Sequence, residues 1–157
     1  MTERIPVAFA VRDAVATDLD TLVSFTIQEA REAEGRRLDE PTVRRGVLAA
    51  FGDAPPSRYW VAEDRRGAIV AMISTTPEWS DFRAGEYWWV QSLFVVPEHR
   101  RSGLLELLLA HLAAEARRGG ALELRLYVHA GNERASRAYR RCGFRSAPYT
   151  IMTRPVE

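Results

Sequence analysis

The 157-residue chain sets 22 basic residues, every one an arginine, against 21 acidic ones, for a formal net charge of +1. Because the two signs are interspersed, no arm or patch offers a footprint for nucleic acid, and the longest apolar runs stop well short of the roughly 20 residues a membrane span requires. With 46% hydrophobic residues there is apolar surface for one continuous core, so residues 1–157 are read as one domain. The lone Cys142 has no internal disulfide partner and the N-terminus lacks the basic start and apolar run of a secretory leader, so a cytoplasmic location is expected.

Val7–Val11 alternates weakly and reads as a first strand. Thr17 and Asp18 offer N-cap side chains for a helix running to Glu34, which Gly35 closes. Pro41 sits where a second helix begins, with Val43, Val47, Leu48 and Phe51 at helical spacing, before Gly52–Pro56 ends it. Arg58–Glu63 and Ala68–Thr75 flank the turn Asp64–Gly67, the signature of an antiparallel hairpin. An irregular segment is expected from Thr76 to Gly85, then a third strand from Glu86 to Val96. Leu104, Leu105, Leu108, Leu109 and Leu112 form one apolar face of a helix over Ser102–Arg118, stopped by Gly119-Gly120. Leu122–Val128 alternates as a strand, Asn132–Cys142 reads as a short helix, and Gly143-Phe144 leads into a final strand pair ending near Met152. The order predicts an antiparallel meander followed by a strand–helix–strand crossover.

Chemistry enters where the strand ending at Val95 meets the helix starting near Ser102. The loop Arg100-Arg101-Ser102-Gly103-Leu104-Leu105 is arginine-rich and contains a glycine that lets backbone approach an anion. Free amides at a helix N-terminus attract phosphate. Taken alone, such a loop is equally well an ordinary strand-to-helix turn with solvated arginines. Downstream, Asn132, Ala135, Ser136 and Tyr139 fall at helical spacing, with small residues between Asn132 and Tyr139 that leave room for a ligand.

These two segments resemble the signature of the GNAT N-acetyltransferase superfamily. The coenzyme A loop of that superfamily reads Arg/Gln-x-x-Gly-x-Gly/Ala, matched from Arg100 to Leu105 except that Leu105 stands at the last small position. Its second signature, Asn-x-x-Ala-x-x-x-Tyr-x-x-x-Gly-Phe, is matched at Asn132, Ala135, Tyr139, Gly143 and Phe144. The resemblance implies an α/β fold with a mixed, mostly antiparallel sheet splayed between two parallel strands and flanked by about four helices. It also implies acetyl-CoA as cosubstrate, direct transfer to an amine, and frequent dimerisation. Leu93, Phe94 and Val95 are the matching strand contacts for pantetheine; Arg100, Arg101, Ser102, Gly103, Leu104, Leu105, Asn132 and Ala135 complete the coenzyme set. The Leu105 side chain is expected to turn into the core and leave its amide available.

Tyr139 matches the tyrosine that protonates the departing thiolate, with a buried structural tyrosine as the alternative. An amide near Leu93 is the expected oxyanion donor. The strand position that often carries a glutamate is Gln91, which cannot accept the amine proton and is read as positioning water or substrate. Replacement bases or acceptor contacts are sought at Glu29, Glu32, Glu34, Glu78 and Asp81, each with a solvated surface carboxylate as its alternative. Trp79, Tyr87, Trp88 and Trp89 are candidates for an aromatic wall around a cationic acceptor, although one of Trp88 and Trp89 must face the core. His99, His111 and His129 share no ligand spacing, so no metal site is expected. The acceptor is expected to be a small primary amine; peptide or protein acetylation and a non-catalytic acyl-CoA sensor are the alternatives.

Overall fold

The computed structural model describes residues 9–156. Its five strands are β1 (Ala10–Asp13), β2 (Arg58–Glu63), β3 (Ile69–Ser80), β4 (Gly85–Val95) and β5 (Glu123–Leu126), adjacent in that order in one sheet. Its four α-helices are α1 (Leu19–Glu34), α2 (Glu40–Leu48), α3 (Leu104–Arg118) and α4 (Glu133–Arg141). The first four strands are antiparallel neighbours, and β5 returns parallel to β4 after the α3 crossover. This is the mixed α/β architecture expected from the sequence. Val7 and Ala8 of the expected first strand lie outside the described residues.

Two apolar clusters sandwich the sheet. On one face the α3 leucines Leu104, Leu108, Leu109 and Leu112 pack over Trp60, Ile73, Trp88 and Val90. On the other, Leu22, Val23 and Phe25 of α1 and Val47 of α2 cover Val61, Met72 and Phe94. Trp60 and Trp88 stack with ring centroids 6.3 Å apart under α3, so Trp88 is the member of its pair that faces the core.

Three local expectations are corrected. Asp18 stands at the N-cap of α1, but its carboxylate makes no cap bond to the helix. It accepts instead from the Val15 amide at 2.8 Å and from Arg12 at 2.8 and 3.1 Å, tying β1 to the helix start and holding its own pKa below the ordinary value. The segment read as irregular is strand as far as Ser80. Pro77 is accommodated because β2 pairs with β3 only as far as Thr75, so at Pro77 the strand has one neighbour and the missing N–H costs no ladder bond. Finally, residues 143–156 form no strand. The segment stays off the sheet although β5 ends it with a free edge, and Tyr149, Ile151 and Met152 are exposed.

Two irregularities in β4 shape the functional region. The β3–β4 register runs Ser74↔Ser92 and then Thr75↔Val90, so Gln91 is the extra residue of a bulge. The bulge reverses facing: Trp88 and Val90 point to α3 before it, whereas Phe94 points to α1 after it. In addition, β5 pairs with β4 only from Tyr87 to Val90. Beyond that point the strands part, and the edge of β4 from Gln91 to Val95 opens into a cleft.

Candidate active site

The opening between β4 and α4 is a cleft of about 860 Å³ lined by Leu93, Phe94, Val95, Gly103, Leu104 and Leu105. Its rim carries Arg100, Arg101, Arg134, Arg137 and Arg141. The start of α3 has no side-chain cap, leaving its first amides turned toward this space. Arg101 and Gly103 both take positive φ, +62° and +86°, the alternation that turns successive N–H groups into a concave anion cradle. A Cβ at Gly103 would meet nothing within 4 Å; it would project into open space at the mouth of the cradle. Leu105 packs against the α3 core cluster while lining the cleft, which meets the expectation for its side chain.

Not every loop residue faces this space in the expected manner. Ser102 is absent from the cleft lining and donates its hydroxyl to the His99 carbonyl. Arg100 donates to the Val95 carbonyl at 3.0 Å and to Glu32 at 2.5 Å, so Glu32 is an ion-pair partner here. His99 lines the cleft and meets Phe9 edge-on.

The β4 bulge brings a strand amide under α1. The Leu93 N–H donates to the Glu29 carboxylate at 3.0 Å, and the Ser92 hydroxyl is a second partner. Burial raises the Glu29 pKa to about 7, these two hydrogen bonds offsetting only part of the desolvation. Glu29 is thus set apart from Glu32 and Glu34, its neighbours on the same helix.

Each residue of the second sequence signature has a local task. Asn132 caps α4, accepting from the Ala135 amide at 3.0 Å. Gly143, at φ +91°, ends the helix in the left-handed region, and the Phe144 N–H returns to the Tyr139 carbonyl at 3.1 Å. That turn sets the Phe144 ring edge-on against Tyr139, 5.9 Å between centroids. Tyr139 is mostly buried, and burial followed by the nearby charge of Glu29 pushes its pKa up.

Tyr139 and Glu29 also line a second cleft, of about 490 Å³, which shares Asn132 and Ala135 with the first. Its lining includes Glu34, Glu78, Trp89, Gln91, Tyr127 and His129, and no arginine. Trp89 and Tyr127 stack at 4.4 Å, and the Trp89 indole N–H donates to Glu78 at 2.5 Å. Tyr127 escaped the sequence reading because its place on Trp89 depends on the β4–β5 pairing. Asp81 lies in the turn between β3 and β4 and lines neither cleft. Trp79 is largely exposed, and Tyr87 is covered by the Arg125 guanidinium, 3.4 Å from its ring centroid. Trp89 is therefore the only one of the four expected aromatic residues in the cleft lining.

Residues 22–144 match the acetyltransferase (GNAT) family, and the chain belongs to it. A protein described as a possible acetyltransferase from Clostridium difficile 630 is similar at 31% identity, with 95% of this chain and 98% of that one covered and a TM-score of 0.88. A ribosomal-protein-alanine N-acetyltransferase from Brucella melitensis biovar Abortus 2308 is 14% identical over 95% of this chain and 100% of its own, with a TM-score of 0.75. An aminoglycoside N-acetyltransferase in complex with CoA is also 14% identical, over 94% of this chain and 95% of its own, with a TM-score of 0.78. At 14% identity, the latter two likenesses are of fold alone.

Membership of this family makes acetyl-CoA-dependent acetyl transfer the chemistry of the fold, with acetyl-CoA as the acetyl donor. The uncapped helix start, the open cradle at Gly103 and the arginine rim fit the coenzyme's phosphates. No helix among the described residues is long and apolar enough to cross a membrane.

Proposed function

We propose that the protein acetylates a primary amine of a small cationic molecule, by direct transfer in a ternary complex. The observation that carries this reading is the meeting, at Glu29 and Tyr139, of a cleft in which five arginines outnumber three glutamates and one lined by three glutamates and no arginine. The arginine-lined cleft suits the anionic coenzyme, and the acidic one suits an ammonium. Bound acetyl-CoA supplies the thioester carbon that the amine attacks. Arg101, Arg134 and the α3 amides hold the phosphates, while the open edge of β4 from Leu93 to Val95 receives the pantetheine arm.

Glu29 takes a proton from the acceptor's ammonium, for which a carboxylate with a pKa of about 7 is well matched at neutral pH. The amine nitrogen then bonds to the acetyl carbon as the carbon–sulfur bond breaks, and its second proton leaves to solvent as the amide forms. Tyr139, kept protonated by its raised pKa, gives its proton to the departing sulfur. Solvent returns the Glu29 proton to the tyrosine. Gln91 stands exposed at the bulge and lines the acidic cleft, where its amide orients the amine or a water.

Calorimetric titration with acetyl-CoA, paired with a free-thiol assay over small amines, amino acids and peptides, tests the reading. Binding with thiol release dependent on a small cationic amine is the expected result. Release only with peptides would redirect the proposal to protein acetylation, and binding without release from any acceptor would point to an acyl-CoA sensor.

A further inference from the structure

We propose that Glu78, held by Trp89, forms a subsite for a second cationic nitrogen, so that the acceptor is a linear di- or polyamine acetylated at one end. This rests on the reading of the acidic cleft as the amine site. The three carboxylates of that cleft have different surroundings. Glu29 meets β4 at Leu93, beside the coenzyme cleft. Glu34 is already paired with Arg36 at 3.3 Å. Glu78 makes no ion pair among the described residues, although the chain is rich in arginine; its partner is the neutral indole N–H of Trp89, at 2.5 Å. A carboxylate aimed by a neutral donor keeps its charge for a ligand.

Next to Glu78, the Trp89 and Tyr127 pair, stacked on each other, offers its outer ring surface and edges as a wall for methylene groups. The cleft lining includes no arginine, and Arg125 stands over the Trp89 ring at 5.8 Å from its centroid. Glu29 reaches β4 at Leu93, opposite Ile73, and Glu78 lies five residues further along β3. At about 3.3 Å per residue their anchor points are roughly 16 Å apart. With both side chains leaning into the cleft, the two nitrogens of the ligand sit on the order of 11 Å apart, a linear chain of about eight atoms. A short diamine cannot occupy both positions, and a monoamine leaves Glu78 unused.

The test compares octamethylenediamine, octylamine and ethylenediamine by acetyl-CoA-dependent thiol release in the wild type, Glu78→Gln and Trp89→Phe. The wild type should prefer octamethylenediamine to each of the others by about tenfold or more in kcat/KM. Glu78→Gln should bring the ratio close to one through a higher KM for the long diamine, and Trp89→Phe, which keeps a ring and loses the N–H, should lower it part of the way. Equal use of long diamine and monoamine, or a preference that survives Glu78→Gln, would overturn the subsite and leave amine acetylation standing. Failure of every amine in protein that binds acetyl-CoA would overturn both.

Discussion

Glu29 joins two properties that seldom occur in one carboxylate: it lies between both clefts, and its burial raises the pKa to about 7. As the base, it predicts that kcat/KM climbs with pH through about 7 on the acid limb. Glu29→Gln should lower turnover by about 10²-fold or more and flatten that limb, because an amide accepts the Leu93 N–H as well as a carboxylate does but takes no proton. A pH–rate profile of both proteins checks this, and an unchanged limb would remove Glu29 from the role. The same shift has a stability counterpart of fixed sign. The folded protein keeps the Glu29 proton up to about pH 7, whereas the unfolded chain gives it up near the ordinary value of 4.5. Stability is therefore fullest below about 4.5 and falls as pH rises toward 7. Glu29→Gln should melt close to wild type at pH 4 and above it at pH 8, by on the order of 3 kcal/mol in thermal unfolding.

At the scale of elements, α4 shows why its part of the site was legible. Asn132 is the cap, Gly143 the left-handed stop and Phe144 the ring against Tyr139, so each answers to the backbone within a few residues of itself. Tyr139→Phe should leave acetyl-CoA affinity near wild type in calorimetry and reduce turnover by roughly 10²-fold, the scale of a lost general acid. Gly143→Ala meets no steric obstacle, so its cost is that of forcing a side chain to φ +91°, about 1 kcal/mol or more, visible as a lower melting temperature. Glu29 was not separable from Glu32 or Glu34 in sequence, because the amide that distinguishes it lies 64 residues away behind a bulge no local pattern announces. Tyr127 and the strand character of Pro77 were hidden for the same reason: both depend on which strand lies alongside and where it stops. The final strand pair was the opposite error: residues 143–156 form no strand, although β5 leaves a sheet edge free.

Over the whole molecule, a net charge of +1 conceals a strong division. Five arginines and the glutamates Glu29, Glu32 and Glu106 line the larger cleft, whereas three glutamates and no arginine line the smaller, with Glu29 and Tyr139 where they meet. In the proposed reaction such a field draws the anionic coenzyme to the first cleft and the cationic amine to the second. It also predicts a common dependence on salt. Raising ionic strength from about 0.05 to 0.5 M shortens the screening length from roughly 14 to 4 Å, so the Kd of acetyl-CoA and the KM of a cationic amine should both rise, each by about tenfold. Arg101→Ala with Arg134→Ala should flatten the salt dependence of the coenzyme Kd, because these two arginines hold the phosphates in the proposed complex, and should leave the slope for the amine in place. A loss of slope for both ligands in that variant would mean that the two clefts do not act as separate electrostatic compartments, and the division of labour between them would have to be abandoned.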